Sequence, residues 1–121
     1  MSWTINERLD VERQVVGNLC REIARGTWSP GDSLPAPNAL AQEHILNPRV
    51  VETAFSRLVQ AGLLGVTSGS DYLVAQDAAD LARAFLLEVA KEEIGNLVNR
   101  LRLAGIETED VQRIWKEVAD D

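Results

Sequence analysis

Most apolar positions in this chain recur three and four residues apart, the spacing of helices that lie on a core, and two short runs break that rhythm. The clearest helical stretch is Asn47 to Gly62. Val51, Ala54, Phe55 and Leu58 follow i, i+3, i+4, i+7, which leaves Arg49, Glu52, Thr53 and Ser56 on the opposite face and Arg57 at its edge. Both ends carry their own signals. Asn47 can accept a hydrogen bond from an orphaned amide, Pro48 suits the first helical position, and Gly62 can take the left-handed conformation that ends a helix.

The same reading extends along the rest of the chain. Trp3 to Asn6 is expected to be a short extended lead. Asp10 can cap a helix reaching about Arg25, with Val11, Val15, Val16, Leu19 and Ile23 as its buried stripe and Gly26 as its stop. The Pro-Gly pair and second proline within Gly26–Pro35 describe a turn anchored by Trp28 and Leu34. Pro37 to His44 gives two helical turns, with Ala36 in the cap position and Leu40 and Ala41 facing inward. After Gly62, residues 63–67 and 71–74 are short apolar runs around Ser-Gly-Ser, the pattern of a small hairpin. From Ala78 to Ala104 a long amphipathic helix is expected, broken by Gly105. Thr108 is then expected to cap a last helix with Val111, Ile114, Trp115 and Val118 on one side.

These elements predict a mainly α fold with one small β-hairpin. Helix, short helix, turn, helix and hairpin is the order of a winged helix-turn-helix, expected over residues 1–75, whose second motif helix enters the major groove of DNA. Residues 76–121 are expected to form a helical tail, a two-helix hairpin. Its apolar stripe, Leu86, Ala90, Ile94, Leu97 and Leu101 with Trp115 of the last helix, and with Leu81, Phe85 and Val89 widening it, is too wide to bury alone, so the tail is expected either to fold onto residues 1–75 or to pack on a copy of itself.

Composition and charge constrain the function. The 121 residues include 45% hydrophobic residues, enough for a core. No apolar run is long enough to span a bilayer, and the N-terminus lacks the order of a signal peptide, so a cytoplasmic protein with no membrane partner is expected. Lone Cys20 and lone His44 offer neither a disulfide nor a metal cluster, and no cofactor or metal is expected. No nucleophile with a base, paired catalytic carboxylates or phosphate-cradling glycine loop is present, which argues against an enzyme. The net charge is −7. Residues 1–75 contribute −2 and the tail −5, so any contact with nucleic acid must rest on a few placed residues rather than a broad positive field.

Gln14 and Ile23, then Gly26, Pro30-Gly31-Asp32, Leu34-Pro35, Leu40-Ala41, Leu46-Asn47-Pro48, Val51, Ala54-Phe55, Leu58 and Gly62-Leu63, together resemble the DNA-binding domain of the GntR family of bacterial transcriptional regulators. The Asn-Pro opening of the second motif helix, and a tail in which Leu103 to Val111 leads into an acidic helix, are similar to its YtrA subfamily. The resemblance implies a homodimer, joined through the tail residues Leu86, Ala90, Ile94, Leu97, Leu101 and Trp115, that binds double-stranded operator DNA, and no residue identifies a small-molecule effector. With the second motif helix in the major groove, its outward face makes Arg49, Thr53, Ser56 and Arg57 the expected DNA contacts, joined by Asn38, Asn47 and, at the wing, Ser68 and Gly69. Asn38 stands where the family usually has an arginine, and Thr67-Ser68-Gly69-Ser70-Asp71 stands where the wing usually carries two. Two functions are therefore expected to compete. One is a sequence-specific transcriptional regulator acting as a repressor. The alternative is a dimeric protein-interaction module that keeps the winged-helix fold and has lost most DNA binding.

Overall fold

The computed structural model describes residues 3–120. The chain divides into two compact units, the first ending at Leu86 and the second beginning at Leu87.

In the first unit the lead is tied down by Gln14. Its amide nitrogen donates to the carbonyl oxygens of Asn6 (2.9 Å) and Asp10 (3.2 Å), while its amide oxygen accepts from the Asn6 N–H at 2.9 Å. Helix α1 (Val11–Ala24) begins where the Asp10 carboxylate accepts from the Arg13 N–H. Its buried residues are Val15, Val16, Asn18, Leu19, Cys20 and Ile23. All but Asn18 and Cys20 belong to the expected stripe, and Val11 is only half-buried. Helix α2 (Pro37–His44) buries Leu40 and Ala41 as expected, and also His44. Helix α3 (Pro48–Gln60) starts at Asn47, whose side chain accepts from the Arg49 N–H at 2.9 Å, and is followed by Gly62 at φ +85. Val51, Ala54, Phe55 and Leu58 are its buried residues, so the face read from the sequence is the face that packs.

Strands β1 (Leu64–Val66) and β2 (Tyr72–Val74) pair antiparallel, Leu64 opposite Val74 and Val66 opposite Tyr72. The Phe55 and Tyr72 rings meet edge to face at 4.8 Å, joining α3 to the hairpin. The turn between α1 and α2 also joins the sheet. Gly31 N–H donates to the Val74 carbonyl, Val74 N–H to the Asp32 carbonyl, and Leu34 N–H to the Tyr72 carbonyl, all within 2.8–2.9 Å. Strand β2 is thus bonded along both edges, once by β1 and once by this turn.

The compact unit runs beyond residue 75, where the sequence suggested a boundary. Helix α4 (Ala78–Leu103) begins with Ala78 and Ala82 fully buried, and Leu81, Phe85 and Leu86 pack against the same core. Two small residues on one face let the start of the helix sit close to the core, which is why the boundary moves to Leu86. Leu86, expected in a dimer seam, is partly covered by this core.

The second unit holds the rest of α4 and helix α5 (Thr108–Ala119). Gly105, at φ +83, lies in the four-residue link between them and ends α4 as expected. Thr108 does not cap α5. Glu107 holds the extended cap position without a side-chain bond, and Thr108 is already the first helical residue. No residue of α5 is buried. Ile114, Trp115 and Val118 are 48%, 64% and 66% exposed, and Ile94 and Leu97 of α4 are exposed as well, so the chain's own fold leaves this apolar surface open. Among the described residues, no helix is long and apolar enough to cross a membrane.

Candidate nucleic-acid interface

Packing of Val51, Ala54, Phe55 and Leu58 turns Arg49, Glu52, Thr53, Ser56 and Arg57 outward together, and all five are exposed. They form one strip along α3, and they are not chemically equivalent.

Arg49 lies in the first turn. Among the described residues no ion pair holds its guanidinium, including the i, i+3 pairing with Glu52 that its spacing allows. A cation at a helix N-terminus opposes the helix dipole, so Arg49 does not serve the helix electrostatically. Thr53 donates its hydroxyl to the Arg49 carbonyl at 2.9 Å. What it presents outward is therefore its methyl group and oxygen lone pairs, the chemistry that suits a thymine methyl. The Ser56 hydroxyl makes no protein hydrogen bond among the described residues and is free to donate or accept.

Arg57 is committed elsewhere. Its Nε donates to the carboxylate of Glu12, at the start of α1. This partner lies 45 residues away, and the spacing along α3 gave no signal of it. Of the two arginines expected on this strip, one is free and one is held by an anion of the same chain.

The flanking positions are as exposed as the strip. Asn38 lies in the first turn of α2 with a neutral amide. Asn47 uses its side-chain oxygen for the cap, which leaves its NH2 group to donate outward. At the hairpin tip, Thr67 N–H donates to the Asp71 carbonyl, Asp71 N–H donates to Thr67 Oγ1, and Ser70 takes the left-handed conformation at φ 67. Ser68 and Gly69 are exposed within that turn, and residues 67–71 contain no cation. The structure thus brings Arg49, Thr53, Ser56 and Arg57 onto one face. It places Asn38, Asn47, Ser68 and Gly69 on separate exposed elements.

A short helix and an exposed-faced second helix followed by a β-hairpin is the geometry of a winged helix-turn-helix, and residues 11–74 match the model of the bacterial regulatory proteins of the gntR family. The chain belongs to the GntR family. This regulator is 25% identical over 111 residues to the HTH-type transcriptional repressor YtrA of Bacillus subtilis (strain 168), covering 92% of the present chain and 85% of YtrA. Among solved structures it is similar to a GntR family transcriptional regulator from Listeria monocytogenes, with a TM-score of 0.77 and 21% identity over 93% of this chain and 98% of that one. It also resembles S. agalactiae BusR in complex with its busA-promotor DNA, with a TM-score of 0.62 and 17% identity over 89% of this chain and 52% of BusR. At those identities the two structures speak to the fold alone. The family is one of transcription regulators and not of enzymes, so the chain is a transcriptional regulator with a winged-helix DNA-binding domain.

Proposed function

We propose that this regulator is a sequence-specific repressor that works in the cytoplasm as a homodimer. It reads operator DNA through the exposed strip of α3. The observation that carries the reading is Arg49, an unpaired guanidinium in the first turn of the second motif helix, where this docking mode brings side chains to the base edges. An arginine there can pair bidentately with guanine O6 and N7, and Thr53 beside it offers a methyl contact. The similarity to YtrA, a repressor, supports the sign of regulation. The open apolar surface of Ile94, Leu97, Ile114, Trp115 and Val118 supports dimerisation through the tail formed by residues 87–121. A two-fold dimer would then present two copies of the α3 strip to an inverted-repeat site.

A second reading, the protein-interaction module, is favoured by the Glu12–Arg57 pair and the cation-free wing tip, which together leave little charge for phosphate contacts. Selection from a random DNA pool separates the two. The repressor reading expects enrichment of an inverted repeat whose half-sites contain a guanine that Arg49→Ala no longer favours. Recovery of no motif at low salt would refute it and leave the interaction module.

A further inference from the structure

Away from the α3 strip, the first unit contains a cleft of about 720 Å3 bounded by α1, α2, the lead and the turn after α1. That volume is in the range of small-molecule sites. The flat faces in its lining come from three rings. Trp3 stacks on His44 at 3.8 Å with the rings 4° from parallel, and the Trp3 backbone N–H donates to His44 Nδ1 at 2.8 Å, which fixes that pair. Trp28, half-buried, also lines the cleft.

Asn18 of α1 is 7% exposed and makes no side-chain hydrogen bond among the described residues. No side-chain nitrogen or oxygen among them is both sealed from solvent and unpartnered, so its amide opens onto the cleft it lines. A primary amide held this way offers one donor and one acceptor side by side, which matches the donor–acceptor edge of a planar heterocycle.

One residue away, Gly17 sits inside α1, where glycine costs about 1 kcal/mol relative to alanine. Neither backbone conformation nor packing requires it. Its φ is not positive, and a Cβ added there meets no atom within 4 Å. The missing side chain leaves that part of the cleft open.

The charges in the lining are also uneven. The Glu22 carboxylate is engaged by Arg25 at 3.5 Å and by the Thr27 hydroxyl at 2.9 Å, and Glu43 lies 3.6 Å from His44 Nε2. Arg21, three residues after Asn18 on the same face of α1, is exposed and holds no ion pair among the described residues. Of the two cations in the lining, Arg21 is the one that no carboxylate engages among the described residues.

We propose that this cleft is a binding site for a planar heterocycle carrying an anionic arm, the chemistry of a mononucleotide. Asn18 pairs with the ring edge, the tryptophans pack on its faces, and Arg21 receives the anion. The site requires neither DNA nor the second unit, so it is tested independently of the repressor reading. The experiment is calorimetric titration of the full chain, without DNA, with AMP, GMP, CMP and UMP and with the corresponding nucleosides. At least one mononucleotide is expected to bind saturably, one per chain, with a dissociation constant of about 1 mM or tighter. Arg21→Gln should weaken that mononucleotide about tenfold while leaving its nucleoside unchanged, and Asn18→Leu should weaken both by about tenfold or more. Gly17→Leu should abolish binding with the melting temperature held or raised, so loss of binding cannot be ascribed to unfolding. Absence of saturable binding by all four mononucleotides, or affinity unchanged in Gly17→Leu, overturns the proposal.

Discussion

Replacing Glu12 by glutamine releases Arg57 without removing it, and this isolates one term of the DNA-binding energy. The Arg57 and Glu12 side chains are 63% and 29% exposed. A pair that open to solvent contributes at most about 1 kcal/mol, so Glu12→Gln should hardly move the melting temperature. Its effect should fall on DNA. In the proposed dimer, a freed Arg57 on each subunit adds two cations to the α3 face proposed to meet the duplex. Each phosphate contact steepens the salt exponent by about 0.9, so two contacts steepen it by about 1.8. Between about 200 and 50 mM salt, a fourfold change, that amounts to an extra gain of roughly tenfold in affinity on any sequence. Fluorescence anisotropy on an unrelated duplex across a salt series measures the slope directly. Adding Arg57→Gln to the Glu12→Gln background should return the slope to its original value. If Glu12→Gln leaves the slope unchanged in a protein that melts normally, Arg57 does not reach the phosphates and the strip is narrower than drawn here.

Further outcomes are expected elsewhere in the molecule. Arg49→Ala should weaken binding to the selected operator by about ten- to a hundredfold with little change in thermal stability, and equal losses on random DNA would show a phosphate contact rather than a base contact. If the proposed dimer forms through the tail, Leu97→Asp together with Trp115→Asp should convert it to a monomer in sedimentation, because a charge in an apolar seam is costly unless the seam opens; an unchanged dimer mass would place the interface elsewhere. Ile45 holds a left-handed conformation at φ 56 while 86% exposed, a strained state for a β-branched residue, so Ile45→Gly should stabilise the fold by about 1 kcal/mol, and a lower melting temperature would refute the strain. Burial pushes the Cys20 thiol up to about 11, so it stays protonated in the folded chain while an unfolded chain ionises at about 8.5. The unfolded state therefore binds fewer protons in that window, and stability should fall as pH rises from about 8.5 to 11, by about 1.4 kcal/mol per unit at most; Cys20→Ala should flatten the slope.

The parts of this molecule legible in the sequence are those fixed by neighbours along the chain. Asn47, Pro48 and Gly62 set the ends of α3 by local hydrogen bonding and backbone preference, and the spacing of Val51 to Leu58 set its buried face. What was not legible depends on residues distant in sequence. Nothing near Arg57 points to Glu12. Nothing in Gly31 to Leu34 says that its amides will bond to β2. Leu86 continues the apolar repeat of the tail, yet it is partly covered by the first core, because periodicity gives a face and not what covers it. Asn18 is polar at a position the α1 stripe does not include, and only the packed structure shows that it is buried. Glu107 and Thr108 differ in capping role by one residue, the usual uncertainty of a helix end.

The bonding of the Gly31–Leu34 segment to β2 has a consequence for how this domain opens. Amide hydrogens exchange with solvent only when their bonds break, and bonds sharing one strand break together in a cooperative unit. The amides of Gly31 and Leu34 donate to β2 carbonyls, and that of Val74 donates back to Asp32. These three protons should therefore share one opening free energy in hydrogen exchange, although 42 residues lie between the first and the last. The wing cannot unzip from its inner side without also releasing the connection between the first two helices, so a surface hairpin opens together with the turn that leads into the helix-turn-helix.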